Sequence, residues 1–159
     1  MKVITLTATC LVLFATTANG YYYAEHKIDF AKKQKQVECL AKAVYHEARG
    51  ESSKGQIAVA YSVINRKGDK RFPNTACEVV FQDAQYSDID KAQFPTEGQE
   101  WDQSYDIAYK VYANEVADPT NGAKWYYNPK KAKPYWRKYA EGNIIQIGNH
   151  KFIENVRNK

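Results

Sequence analysis

The residues best suited to chemistry lie in the run Ala43-Val44-Tyr45-His46-Glu47-Ala48-Arg49-Gly50-Glu51. Apolar residues at helical spacing upstream place Glu47 in a last helical turn, with Gly50 positioned to stop the helix. The negative end of the helix dipole disfavours a charged carboxylate there. Glu51, four residues on, adds a like charge on the same face if the helical turn persists. Both effects favour a protonated Glu47, and a carboxylic acid kept protonated near neutral pH is the general acid that glycosidic bond cleavage requires. The competing reading is a surface glutamate, with Arg49 and Glu51 in a solvated charge network.

His46-Glu47 also opens the zinc-protease signature His-Glu-x-x-His, but position 50, where the second histidine belongs, is glycine. The histidines are His26, His46 and His150, and no metal site is expected from them. His46 reads as a helix-surface residue and a poor partner for Glu47, because neighbours in a helical sequence do not face each other. Most of the aromatic residues are expected in the core. Tyrosines grouped with Asn, Gln and Ser also suit a carbohydrate cleft, where rings stack on sugar faces, which makes Tyr86, Tyr126 and Tyr127 candidates.

The elements that must hold these residues follow from periodicity. Val37, Leu40, Ala41, Val44, Tyr45 and Ala48 predict a helix over 36–49. Ser52 or Ser53 can cap a second helix, in which Ile57, Ala60, Tyr61 and Ile64 form a face broadened by Val59 and Val63. A short helix is expected over 76–82 and a longer one over 101–117, separated by a long loop over 83–99, a feature often functional in compact domains. Asp118 to Gly122 reads as a turn. Trp125-Tyr126-Tyr127 is β-prone, Trp136 and Tyr139 suit a helical turn, and 144–153 reads as a hairpin turning near Gly148-Asn149. The fold class is α+β, mostly α, with a small C-terminal sheet.

The first twenty residues have the pattern of a secretory signal peptide: Lys2, an apolar stretch from Val3 to Phe14, then small residues to Gly20. The apolar stretch is too short for a comfortable membrane span, so no stable membrane insertion is expected. Residues 21–35 read as a polar lead-in or loosely docked helix, and 36–159 as one domain. Without Lys2 the chain has 22 basic and 18 acidic residues, +4, which suits an anionic wall surface or simple solubility. The charges are dispersed, which argues against nucleic acid as a partner. With Cys10 in the removed segment, Cys39 and Cys77 remain. An exported chain favours a disulfide between them, the alternative being two buried free thiols.

Several segments, in order, resemble the cell-wall hydrolase family of the spore cortex-lytic enzymes SleB and CwlJ. They are Cys39 through Glu51, Gly55-Gln-Ile-Ala-Val-Ala60, Val63-Ile-Asn-Arg66, Phe72 through Gln82 and Gln85-Tyr-Ser87, then Asp118 through Ala123, Tyr126 through Asn-Pro129 and Ile147-Gly-Asn-His-Lys-Phe152. The resemblance implies a reduced lysozyme-like or lytic-transglycosylase-like domain, peptidoglycan glycan strands as substrate, Glu47 as the catalytic acid and no cofactor. It also implies Gln85, Ser87, Tyr126, Asn128 and His150 as cleft residues, beside Tyr86 from the tyrosine grouping. Asp88 stands where the family commonly has Trp, and the two positions before Asn128 differ from the histidines of many members. The expected activity is cleavage of the bond between N-acetylmuramic acid and N-acetylglucosamine by a monomeric enzyme, periplasmic or extracellular. One acid–base carboxyl suffices for a transglycosylase, whereas a hydrolase needs a second carboxylate, for which Glu51, Asp88 and Asp90 are candidates. The rivals are a metal-dependent amidase that frees the peptide from muramic acid and a non-catalytic wall-binding protein.

Overall fold

The structure, a computed structural model, describes residues 9–82, 89 and 91–157, with side chains from residue 25 on. Two units are distinguished, residues 1–34 and residues 35–159. No helix among the described residues is long and apolar enough to cross a membrane.

Helix α1 covers Thr9–Ala48, so it begins far upstream of the predicted residue 36. The segment 24–36 has neither Gly nor Pro and is rich in Lys, Gln and Ala, whose intrinsic propensity sustains a helix without an apolar stripe. In the first unit Ile28 and Phe30 are exposed.

The second unit takes α1 from Lys35 on. Helix α2 spans Ser53–Lys67, and Ser52 is the residue that caps it, accepting from Gly55 N. Helix α3 is Ala76–Val80, capped by Thr75, which accepts from Glu78 N. Helix α4 is Gln99–Tyr112 and stops five residues short of the predicted end. Asn114 takes a left-handed φ of 59°, which ends the helix, and Val116 leaves the helix path so that its carbonyl accepts from the Tyr61 hydroxyl. Val37, Leu40, Ala41 and Val44 of α1 pack with Val63 of α2, Val79 of α3 and Ala108 of α4 in a core with little or no exposed area. Cys39 and Cys77 are joined by a disulfide, with Cα atoms 5.0 Å apart, tying α1 to α3.

The sheet has three antiparallel strands: β1 (Trp125–Tyr127), β2 (Ala140–Ile147) and β3 (His150–Val156), in the order β1-β3-β2. A 3-10 turn, Tyr135–Tyr139, leads into β2. Ile147 pairs with His150 across the two-residue turn Gly148-Asn149, as the hairpin reading expects, and Tyr126 pairs with Phe152. Gly148 has φ +55°, the left-handed conformation that favours glycine in such turns. Phe152 is fully buried and packs with Ala48 of α1, Ala58 and Val59 of α2, and Ala123 and Ile147. That second core fixes the sheet against the end of α1, where Glu47 sits.

Candidate active site

Glu47 lies one residue before the end of α1 and its side chain is about a quarter exposed, at 23%. The chain turns at once, with Glu51 N donating to Ala48 O at 2.8 Å. Gly50 lies in this turn without a left-handed φ, so it does not end the helix by the usual glycine geometry. Because the helix stops at Ala48, Glu51 is not a helical neighbour of Glu47, and the predicted like-charge pairing on one face gives way to a different arrangement. Glu51 turns toward the hairpin, where Asn149 N donates to its Oε2 at 3.2 Å and Asn149 Nδ2 to its Oε1 at 2.9 Å.

His46 also departs from the sequence reading. Its Nδ1 lies 2.8 Å from Glu47 Oε1, so the adjacent residue is a direct partner after all. In the last turn of the helix the two side chains converge although their Cβ directions diverge. The Nδ1–H tautomer donates to a carboxylate, and the Nε2–H tautomer accepts from a carboxylic acid. The contact therefore serves Glu47 in either protonation state.

Two hollows meet at Glu47. The larger, about 890 Å³, is walled by β1 and the 3-10 turn, with Tyr126, Tyr127, Asn128, Trp136 and His150 among its lining. The smaller, about 510 Å³, is bordered by Arg49, Glu51, Glu100, Lys130 and Asn149. His46, Glu47, Asn128 and Lys131 line both. Thus Tyr126, Asn128 and His150 of the expected cleft residues gather around Glu47, whereas Gln85, Tyr86 and Ser87 lie outside the described residues, as do Asp88 and Asp90. The sequence reading named Tyr126 and Tyr127 but passed over Lys131, Glu100 and Trp136, which completes an aromatic wall by meeting Tyr127 edge to face at 5.7 Å. The Pro-Tyr-Trp-Arg-Lys-Tyr run at 134–139 was the available signal for that wall.

The electrostatics follow from burial and partners. His150 is 7% exposed, and its ring meets Tyr126 edge to face at 5.4 Å. Burial lowers its pKa below the usual histidine value, and Glu51, Glu47 and Lys131 act on it at longer range. Burial alone would raise Glu51, yet the two Asn149 hydrogen bonds, with His150 and Lys131 nearby, bring it below the ordinary carboxylate value. Asn128 shapes the loop after β1: its Oδ1 accepts from Lys130 N at 3.0 Å, and its carbonyl accepts from Lys131 N and Ala132 N.

A half-buried polar loop, with Thr120 buried, leads into β1. Asp118 accepts from Thr120 N, Thr120 Oγ1, Gly122 N and Asn65 Nδ2, at 2.6–2.9 Å. These bonds outweigh burial and keep the Asp118 carboxyl below its ordinary value. Arg66 Nε donates to Lys124 O at 2.6 Å, fixing the entry to the strand. Among the described residues no group of three His, Cys, Asp or Glu is arranged to hold a metal ion.

The chain belongs to the cell wall hydrolase family, whose model matches residues 50–153, beginning three residues after Glu47. It is similar to the spore cortex-lytic enzyme of Oceanobacillus iheyensis, 34% identical over 123 residues that make up 76% of this chain and 42% of that protein. The spore cortex-lytic enzyme of Bacillus subtilis is 32% identical over 120 residues, 74% of this chain and 37% of that protein. The chain therefore spans less than half the length of these relatives. Among solved structures, the catalytic domain of the Bacillus cereus SleB protein superposes with TM-score 0.65 at 32% identity, covering 76% of this chain and 90% of that one. The catalytic domain of the germination-specific lytic transglycosylase SleB from Bacillus anthracis gives 0.64 at 31% identity, covering 74% and 93%.

Proposed function

We propose that this chain cleaves the glycosidic bond between N-acetylmuramic acid and N-acetylglucosamine in peptidoglycan, as a lytic transglycosylase with Glu47 as its one acid–base residue. The observation that carries this reading is the placement of Glu47 where two hollows meet, beside an aromatic wall suited to sugar rings. Glu47 gives its proton to the glycosidic oxygen as the bond to muramic C1 breaks. The resulting carboxylate takes the proton of the muramic 6-hydroxyl, whose oxygen closes on C1 to give a 1,6-anhydro end and restore the acid. His46 can accompany both states by exchanging tautomer. Tyr126, Asn128 and His150 line the substrate cleft in this reading, joined by Gln85, Tyr86 and Ser87. No cofactor takes part.

The same reading makes residues 1–20 a removed signal peptide, 21–35 a lead-in and 36–159 the catalytic domain of a monomeric protein that meets its glycan outside the cytoplasm. Mass spectrometry of the muropeptides released from purified sacculi tests the proposal. Anhydro-muramic ends from the parent, absent with Glu47→Gln, are the expected result. Reducing muramic ends, free stem peptides, or undiminished lysis by the Glu47→Gln variant would overturn it, as would loss of activity in chelator.

A further inference from the structure

Glu51 is the described carboxylate that a hydrolytic mechanism would recruit first, since it follows Glu47 by four residues and borders the smaller hollow. Its surroundings assign it other work. The side chain is 11% exposed, and both oxygens are taken by donors of Asn149. Its backbone is held as well: the buried Gln56 side chain donates Nε2–H to Glu51 O at 3.1 Å, and Glu51 N donates to Ala48 O.

The space around Glu51 is shaped by two glycines from distant parts of the chain. A Cβ at Gly148 would lie 2.2 Å from Glu51 Oε2, and one at Gly55 would lie 3.0 Å from Glu51 Cβ. The hairpin turn and the first turn of α2 thus close on this carboxylate from two sides. The residue after Asn149 is His150, whose Nδ1 lies 3.7 Å from Glu51 Oε1 and whose ring faces the larger hollow beside Glu47.

The geometry points to Glu51 as a positioning residue that clamps the Gly148-Asn149 turn onto the end of α1 and so sets His150 beside Glu47, rather than as a second catalytic carboxylate. The inference rests on the reading of Glu47 as the acid–base residue and adds which neighbouring acid is structural to the site. It also gives a use to the Glu-x-x-x-Gly-Gln spacing at 51–56. The glutamate supplies the clamp, Gly55 leaves it room and Gln56 holds its carbonyl.

The test compares Glu51→Ala and Glu51→Gln in the full chain. A Gln amide oxygen still accepts from Asn149, whereas Ala cannot. Glu51→Ala is expected to lower kcat about 30-fold and Glu51→Gln by about threefold at most, with KM moving less than about twofold, the scale of a sub-ångström misplacement at a reacting centre. Both variants keep producing anhydro ends. The NMR titration of His150 supplies a readout that loss of stability does not move. The groups acting on His150 are Glu51 and Glu47, which raise its pKa, and Lys131, which lowers it, so Glu51→Gln is expected to shift the titration to lower pH.

A Glu51→Gln variant as inactive as Glu47→Gln would make Glu51 a participant in the chemistry and overturn the inference. So would full kcat in Glu51→Ala, or an unmoved His150 titration. If Glu51→Ala fails to fold, Glu51→Gln and the titration decide. A parent enzyme giving no anhydro ends defeats the transglycosylase reading alone, because the Glu51 comparison and the His150 titration are read independently of the product.

Discussion

Replacing Gly148 by alanine probes the clamp from its far side, and its cost divides into two parts. The first is the left-handed φ of +55°, which costs an L residue about 1–2 kcal/mol. The second is displacement of Glu51, because the new Cβ would stand 2.2 Å from its Oε2 and must push the carboxylate off Asn149. Two hydrogen bonds to a charged group are then weakened. Asn149 is exposed, so solvent recovers part of the loss, and about 2 kcal/mol is a reasonable total. Gly148→Ala is therefore expected to destabilise by about 3 kcal/mol. In a Glu51→Ala background the carboxylate is already gone, so only the backbone strain of about 1 kcal/mol should remain, a coupling of about 2 kcal/mol. Urea denaturation of the parent, both single variants and the double variant measures each side of the cycle. Equal costs for Gly148→Ala in the two backgrounds would refute the claim that the glycine is required by the carboxylate.

Further outcomes follow from other parts of the molecule. Reducing the Cys39–Cys77 bond, or replacing both residues by serine, should lower stability by about 3–4 kcal/mol for a closed loop of this length, read as a fall in the thermal midpoint. Asp118 has a folded pKa below its ordinary 3.8, so its contribution is complete above that value and is lost as pH falls through the lower folded value. Asp118→Asn should destabilise the protein at pH 7 by about 2 kcal/mol and flatten the acid limb of its stability curve, followed by circular dichroism against pH. Trp136→Ala removes one face of the aromatic wall and should raise KM by about fivefold to tenfold while kcat changes little, as steady-state turnover of soluble glycan strands would report.

The parts of the fold legible in the sequence are those whose pattern and packing agree. Helix α2 shows its full length because Ile57, Ala60, Tyr61 and Ile64 repeat at helical spacing and the helix is buried on several sides. The hairpin is legible because β-prone runs flank a Gly-Asn pair. The end of α4 is not, since Val116 continues the apolar rhythm while Asn114 breaks the backbone, and the deciding partner, Tyr61, lies 55 residues away. The upstream reach of α1 is hidden for the opposite reason: residues 25–35 are exposed, so no apolar stripe marks a helix there. In the site, the helix end drew attention to Glu47, but the role of Glu51 depends on Asn149, 98 positions on. His46 was misjudged because the rule for ideal helices was applied to a final turn. Tyr126 was legible from the grouping of tyrosines with polar amides, whereas Asn128 and His150 came from the resemblance, as nothing in their local spacing marks them.

That 98-residue reach also bears on when, under the proposed function, the folding chain would gain its activity. Contacts so distant in sequence carry a large loop-closure cost and form late relative to local helices. A nascent or clipped chain can hold Glu47 on its helix yet lack β3, and with it the imidazole and the clamp that complete its surroundings. Competence to degrade a wall is thus expected to arrive with the docking of β3, so a chain nicked between α4 and the sheet should stay largely helical while losing its capacity to lyse.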